Sequence, residues 1–250
     1  MISDLNKYTK EVDDALNRLS LKVDKARSER SKKYIGTNLH VLGLVAKKQT
    51  EAHKKGFSFY STDPQKTFLI FNHIYTQSTV FETKNQAFIF LDKYAKHIPI
   101  STQLKTLPYW IKYVDNWAHS DGLSKYLTRL LENTDSQKAM LDILKKWNAS
   151  KNLWERRQSL VALYYYARTK KEYISFEQTT NFIFPLLKDK EYFVQKAVGW
   201  TLRETYNVYP KQAYYFIEEN IKSISPTAFT ACLEKMTEKE KFTLKQKRKK

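Results

Sequence analysis

Residues 154–160, WERRQSL, open with an aromatic residue and continue with residues that favour helices. Three further stretches follow the same pattern, and they are 81–87 (FETKNQA), 117–121 (WAHSD) and 193–199 (FVQKAVG). The leading residues Phe81, Trp117, Trp154 and Phe193 are 36, 37 and 39 residues apart. This spacing predicts an internal repeat of one helix pair per unit, with a fifth unit starting near Ser225.

The order of residue types within each stretch indicates the kind of repeat. A basic or polar residue follows the aromatic residue, and a small residue is expected three or four positions on. This order is typical of the inner helix of HEAT repeats, in which small residues let neighbouring helices approach, and stacked units of this kind leave a concave face. The sequence therefore predicts an all-α, HEAT-like helical-repeat solenoid (an α-α superhelix) with a concave basic face. Chance similarity among unrelated helices is the alternative.

Composition excludes several other classes of protein. Only 5 Gly and 6 Pro argue against turn-rich β architecture, and 14 Phe, 17 Tyr and 5 Trp argue against a disordered chain. The single cysteine, Cys232, excludes a disulfide framework or a cysteine-based zinc site and is expected in the core. The start of the chain is polar, and no apolar run is long enough for a membrane span. We expect a cytoplasmic protein.

Periodicity and breaks along the chain predict its organisation. Residues 1–33 are predicted to form one charged amphipathic helix, which ends at a break near 34–38. A second helix is expected over 42–52, followed by a loop from Gly56 to Pro64. A single repeat domain is predicted over 1–240, with a basic, disordered tail over 241–250 that adds non-specific electrostatic affinity.

The formal net charge of +18 favours a polyanionic partner, with nucleic acid ahead of an anionic membrane surface. A basic protein that is merely soluble is the alternative. The predicted inner helices carry a set of basic residues, namely Lys125, Arg129, Arg156, Arg157, Lys196 and Arg203. On a curved surface, such residues would contact the phosphates of double-stranded DNA without reading its bases.

Standard catalytic motifs are missing from the sequence. It contains no GxSxG, phosphate-binding loop or GxGxxG motif, and its five histidines have no metal-ligand spacing. A zinc hydrolase is therefore not expected. Three tracts remain for the chemistry, and they are Asn116–Asp121, Trp154–Arg157 and Lys196–Glu204.

These tracts resemble the AlkD-type DNA alkylation repair proteins, which are HEAT-like repeat DNA glycosylases. The resemblance runs from about Gly36 to Lys235 and is most specific in Trp154–Leu163 and Asp189–Pro210. It implies cleavage of the N-glycosidic bond of positively charged N3- or N7-alkylated purines. It also implies that the lesion is reached without drawing the base into a deep pocket, unlike in base-flipping glycosylases.

The resemblance also implies a set of site residues. Trp117 and Asp121, four positions apart, resemble the first tryptophan and the aspartate of the family's site, and Trp200 resembles the second tryptophan. Arg157, or else Arg156, resembles the site arginine. Lys125, Lys196 and Arg203 are expected to contact the DNA backbone. A carboxylate can stabilise the oxocarbenium charge that develops on the sugar, and tryptophan faces attract cationic bases. Such a reaction requires no metal or cofactor, so none is expected.

Each site residue also has a purely structural interpretation. Asp121 would then be a helix N-cap or a first-turn acid, and Trp117, Trp154 and Trp200 would belong to the repeat core. Arg156 and Arg157 would be solvated charges, and His119 would be a surface group without a role.

Two other functions stay open beside the glycosylase. One is a non-catalytic protein that binds distorted or branched DNA, and the other is a protein-binding scaffold. No obligate protein partner is predicted.

Overall fold

The computed structural model describes residues 2–165 and 173–249, with side chains from residue 5 onward. Within these residues the chain is all-α, without β-strands, and an isolated backbone bridge joins His40 and Val80. The helices are α1 (Ile2–Ser20), α2 (Lys25–Ile35), α3 (Ala46–Lys55), α4 (Pro64–Gln77), α5 (Phe81–Tyr94), α6 (Ile100–Thr106), α7 (Trp117–Glu132), α8 (Gln137–Asn148), α9 (Leu153–Tyr164), α10 (Phe176–Ile183), α11 (Tyr192–Val208), α12 (Pro210–Glu219), α13 (Pro226–Cys232) and α14 (Glu238–Lys249). Short 3-10 segments cover Ala95–His97, Leu107–Tyr113 and Phe184–Leu186.

The predicted repeat matches the positions of the helices. Phe81 and Trp117 begin α5 and α7, and Trp154 and Phe193 are the second residues of α9 and α11. Helices α6, α8, α10 and α12 each follow one of these starts in the sequence, and α13 begins the predicted fifth repeat. The predicted helical-repeat fold is therefore confirmed.

The chain divides into two compact units, Met1–Leu123 and Ser124–Lys250, and the boundary falls within α7. In the first unit, α5 packs against α1, α3 and α4. Its core is rich in aromatic side chains, among them the fully buried Phe68, Phe71 and Tyr75.

In the second unit, α11 is central and packs against α9, α10, α12 and α13. Gly199 lies where α11 packs against α13. A Cβ atom at Gly199 would stand 2.6 Å from the carbonyl oxygen of Ala228 and 2.8 Å from the Cβ of Ala231. Only a residue without a side chain lets the two helices approach this closely, as expected for a helical repeat.

The predicted single helix over residues 1–33 is wrong, because α1 ends at Ser20 and α2 begins at Lys25. Asp24 caps α2, since its carboxylate accepts the N–H of Ala26 at 3.1 Å. The predicted break after α2 is confirmed. Gly36, with a φ of 70°, provides the left-handed residue that ends the helix.

The second predicted helix begins later than expected, at Ala46 rather than near residue 42. The preceding segment is not helical, and the buried carboxylate of Glu82 on α5 accepts the N–H groups of Leu42 and Leu44 at 2.9 and 3.1 Å. These bonds satisfy buried backbone donors that a helix would otherwise satisfy. The predicted loop is confirmed, since α3 ends at Lys55 and α4 begins at Pro64.

The C-terminal segment differs from the predicted disordered tail, because residues 241–249 belong to α14. Leu244 is fully buried, and the Arg248 guanidinium donates to the carbonyl oxygens of Ile221 and Ile224 at 2.8 Å each. The expected core position of Cys232 is confirmed, since it is fully buried. In the described part of the chain, no helix has the length and apolar composition needed to span a membrane.

Candidate active site

The start of α7 carries two of the residues that the sequence singles out, Trp117 and Asp121. Asn116 stands immediately before the helix, and its Oδ1 accepts the N–H of His119 at 2.8 Å, which is the bond of an N-cap residue. Asp121 lies beyond the first turn of α7, which contains no acidic residue. The interpretation of Asp121 as an N-cap or first-turn acid is therefore wrong.

Trp117 and Asp121 are one helical turn apart, so they lie on the same face of α7. Both are partly exposed. The indole Nε1 of Trp117 donates to the carbonyl oxygen of Tyr34 at 3.0 Å, and the two aromatic rings meet edge to face with centroids 5.4 Å apart. The end of α2 therefore fixes the direction of the indole.

His119 lies on the opposite, buried side of α7 and is fully enclosed. Its Nδ1 lies 3.0 Å from Nδ2 of Asn116, its Nε2 lies 3.3 Å from the carbonyl oxygen of Phe81, and its ring stacks on the Phe81 ring at 4.5 Å. Burial, followed by the charge of Lys84, lowers the pKa of His119 to about 3. The neutral ring then accepts from Asn116 and donates to Phe81. The prediction that His119 is a surface group is wrong.

Asp115 extends this polar cluster toward the segment that follows α2. Its carboxylate accepts from the Thr37 hydroxyl, the Asn38 N–H and the Asn116 amide, each at 2.8 Å. Burial alone would raise the pKa of Asp115, but the hydrogen bonds from Asn116, Thr37 and Asn38 outweigh burial and hold this pKa below its ordinary value. The cluster thus anchors the start of α7 with a charged acceptor that has three donors.

Lys84, on α5, is a further buried charge in the first unit, with only 3% of its surface exposed. Its Nζ donates to the carbonyl oxygen of Tyr113 at 3.1 Å and lies 4.6 Å from the centre of the Tyr75 ring. Burial lowers the pKa of Lys84 to about 8. Neither Lys84 nor Asp115 lies in the three sequence tracts predicted to carry the chemistry, so neither was predicted as a site residue. Asn116 begins the first of these tracts, and its capping role could have been predicted, because an asparagine directly before a helical pattern is a capping signal.

Arg156 and Arg157 lie on α9 in the second unit, and both bind within the protein. The Nε of Arg156 lies 2.6 Å from the Asp189 carboxylate, and its Nη1 donates to the carbonyl oxygens of Ser150 and Lys151 at 2.9 Å. Arg157 is only 6% exposed, and its Nη1 donates to the carbonyl oxygen of Phe193 at 2.9 Å. The interpretation of these arginines as solvated charges is therefore wrong.

Trp200 lies on α11 and is partly exposed. The Arg203 guanidinium, three residues on, stands 5.8 Å from the centre of the Trp200 ring. Arg203 is paired with Glu204 at 2.9 Å and with Glu234 at 2.6 Å, so two carboxylates balance its charge. Lys196, one turn before Trp200, is exposed.

Two further predicted residues have different surroundings. Lys125 is partly exposed, and its Nζ stands 5.8 Å from the centre of the Tyr126 ring. Trp154 is partly exposed, and its ring packs on the Phe193 ring at 5.1 Å, which agrees with a place in the packing between repeats.

The candidate residues fall into two groups. Trp117 and Asp121 belong to the first unit, where a tryptophan and a carboxylate share one face of α7. The remaining candidates belong to the second unit, and they are Lys125, Arg156, Arg157, Lys196, Trp200 and Arg203. In the described residues, no three histidine, cysteine, aspartate or glutamate side chains form a group that could hold a metal ion.

Comparison with known proteins connects this fold to a family. A predicted DNA alkylation repair enzyme from Enterococcus faecalis has a similar structure, with a TM-score of 0.69 and 19% sequence identity. The match covers 86% of this chain and 97% of that chain, and at this identity it shows a shared fold. A search of curated proteins finds no significant match.

The sequence profile of the family described as DNA alkylation repair enzyme matches residues 15–236. The chain therefore belongs to this family, as its sequence motifs predict. Membership supports a role in DNA repair, which agrees with the strongly basic composition.

Proposed function

We propose that the protein is a DNA glycosylase that hydrolyses the N-glycosidic bond of N3- or N7-alkylated purines in double-stranded DNA. The observation that carries this proposal is that Trp117 and Asp121 share one face of α7. They lie near the start of the helix, which hydrogen bonds of Asn116 and Trp117 hold in place. A positively charged alkylated base is a good leaving group. The protein therefore has to stabilise the sugar cation more than it has to activate the base.

Each site residue has a role in this proposal. The Asp121 carboxylate stabilises the oxocarbenium charge on the sugar or orients the attacking water. Trp117 and Trp200 contact the lesion nucleotide through their aromatic faces, which attract a cationic base. We infer that no metal or cofactor takes part. The substrate would be the cell's own DNA, which places the protein in the cytoplasm at the nucleoid.

The backbone contacts follow from exposure and pairing. Lys196 is exposed and Lys125 is partly exposed, so both side chains can reach phosphates from the surface. Arg156, Arg157 and Arg203 would first have to exchange a carbonyl or carboxylate partner for a phosphate. We therefore expect the exposed Lys196 to provide more of the non-specific affinity, and an arginine contact to form only at the lesion.

The decisive measurement is single-turnover release of free base from a duplex oligonucleotide that carries one N7-methylguanine. We expect Asp121→Asn to slow release by about 100-fold or more while DNA affinity is nearly kept, because the charge acts mainly in the transition state. Asp142→Asn is the matched control, since it removes the same charge from an exposed position on α8. Equal release by the wild type and Asp121→Asn would remove Asp121 from the mechanism.

The same assay separates the two alternatives. No release by the wild type, together with salt-dependent DNA binding, would favour a non-catalytic protein that recognises distorted or branched DNA. That alternative would have been favoured by Asp121 acting as a helix cap, and Asn116 has that position instead. Absence of any salt-dependent DNA affinity would favour a protein-binding scaffold, because phosphate contacts require such dependence.

A further inference from the structure

The start of α7 contains more buried polar groups than a helix needs for capping. Asn116 and His119 are both fully buried, and each makes hydrogen bonds with both ends of its polar side chain. A buried, hydrogen-bonded polar group adds little to stability compared with an apolar side chain of the same size, because its bonds replace bonds to water, and loss of a partner costs free energy. What they add is a single geometry, because each bond forms in only one arrangement of its partners.

The bonds from these two residues hold α7 against fixed points of the first unit. His119 is bonded to and stacked on Phe81, which begins α5. Asn116 is bonded to Asp115, and Asp115 is bonded to Thr37 and Asn38 just after α2. The start of α7 is thereby tied to two separate segments, and a rotation of the helix about its axis would break both connections.

Trp117 and Asp121 lie on the face of α7 that these bonds orient. Trp117 stands between Asn116 and His119 in the sequence, and in the observed rotation of the helix its indole donates to the Tyr34 carbonyl. Asp121 follows one turn later on the same face. We propose that Asn116 and His119 are positioning residues that set the directions of the Trp117 indole and the Asp121 carboxylate.

This inference rests on the proposed glycosylase for its effect on rate, but its structural part stands alone. Neither Asn116 nor His119 is exposed, so neither touches the DNA in this arrangement. They act through Trp117 and Asp121, which are the residues proposed to contact the DNA. A positioning role predicts a loss of rate without a matching loss of DNA affinity, because non-specific affinity comes from the phosphate contacts elsewhere.

Three variants test the role. His119→Phe keeps the ring that stacks on Phe81 but loses both polar contacts. His119→Gln keeps an amide that can accept from Asn116 and donate to Phe81, so it serves as the conservative rescue. Asn116→Ser keeps an oxygen that can accept the backbone N–H of His119 but loses the bond to the His119 ring. It is the milder second variant if His119→Phe fails to fold.

Gln103→Leu is the matched control. Gln103 is 4% exposed, lies in the same unit, and donates to the carbonyl oxygens of Ala95 and Ile98 at 2.8 Å. The variant Gln103→Leu thus loses two buried hydrogen bonds that do not involve α7. A general effect of lost stability would appear equally in this control.

The first readout does not depend on activity. The protein is labelled with 5-fluorotryptophan, and the fluorine signal of Trp117 is assigned through Trp117→Phe. We expect His119→Phe and Asn116→Ser to shift or broaden this signal, His119→Gln to restore it, and Gln103→Leu to leave it unchanged. An unchanged Trp117 signal in folded His119→Phe and Asn116→Ser would overturn the proposal.

The second readout is base release with DNA affinity measured beside it. We expect His119→Phe to slow release by about 10-fold to 100-fold with its dissociation constant for DNA nearly unchanged, since small misplacements of reacting groups cost this much. Equal slowing in His119→Phe and Gln103→Leu would overturn the positioning role. If the wild type releases no base, the glycosylase proposal fails and the fluorine signal alone decides the structural part.

Discussion

Trp117 and Trp200, the two candidate tryptophans, lie in different electrostatic surroundings. The helix of Trp117 starts in a cluster whose buried members Asn116 and His119 are neutral. The ring of Trp200 lies beside Arg203, which is held between two carboxylates. Protonation of the neutral His119 would disturb the first group, whereas loss of a carboxylate partner would disturb the ion-paired second group. We therefore expect the surroundings of Trp117 to respond to acid, and those of Trp200 to respond to substitution of an ion-pair partner.

The largest expected effect concerns acid. Burial holds the pKa of His119 at about 3 and that of His53 at about 4, below the ordinary value of 6.5. The unfolded chain therefore binds these protons first, and stability is lost as pH falls from 6.5 toward 4. By pH 4, each of the two histidines has lowered the free energy of unfolding by about 3 kcal/mol.

Urea unfolding at several pH values measures this loss. We expect His119→Gln to lose less stability than the wild type over the same interval, since it has no proton to gain. His97→Gln is the control, because His97 is exposed. An identical pH dependence in His119→Gln and the wild type would contradict the low pKa of His119 in the folded protein.

The second effect concerns the ion pairs of the second unit. In the pair of Arg156 and Asp189, the side chains are only 16% and 9% exposed, so Asp189→Ala leaves a largely buried guanidinium without its carboxylate. We expect a loss of about 3 kcal/mol in the free energy of unfolding. Asp14→Ala breaks the exposed pair with Lys10 and should cost less than about 1 kcal/mol. Similar losses for the two variants would show that burial of the pair is unimportant.

The third effect compares a glycine in each unit. Gly199→Ala places a Cβ atom 2.6 Å from the Ala228 carbonyl oxygen, and we expect it to cost about 2 kcal/mol. Gly122→Ala meets only the Phe88 ring, at 3.1 Å. That ring can give way, and alanine favours the helix by about 1 kcal/mol, so the net change should be small. Denaturant midpoints of the two variants provide the test, and a larger loss at Gly122 would reverse the comparison.

The smallest effect concerns DNA affinity. Lys196→Gln should reduce the slope of log affinity against log salt by about one unit, because it removes an exposed cation. Arg203→Gln should change the slope less, since Glu204 and Glu234 already balance its charge. Binding to an undamaged duplex at several salt concentrations gives both slopes. A larger change from Arg203→Gln would mean that DNA displaces the carboxylates.

The sequence predicted the parts of the fold that local pattern controls. Aromatic residues such as Phe81 and Trp117 mark helix starts because an aromatic side chain recurs at the same place in each repeat. The break at Gly36 was predictable because glycine readily takes up the left-handed conformation. The break before α2 was missed because the cap at Asp24 lies in a charged stretch without glycine or proline.

Other features depend on partners that are distant in the sequence. The segment before α3 is not helical because Glu82, on another helix, binds its N–H groups. The family resemblance identified Trp117 and Asp121, but local sequence gives no sign that His119 is bonded to Phe81. Whether Arg156 and Arg157 are solvated likewise depended on Asp189 and Phe193, more than thirty residues away.

The bond between the Trp117 indole and Tyr34 also has a consequence for the order of folding. These residues are 83 positions apart, and Thr37 and Asp115 are 78 apart. In the second unit, Arg157 and Phe193 are 36 apart, which is one repeat. Long loops cost more entropy to close, so contacts between neighbouring repeats form sooner. We expect the second unit to gain protection from hydrogen exchange first, and the surroundings of Trp117 to be completed late in folding.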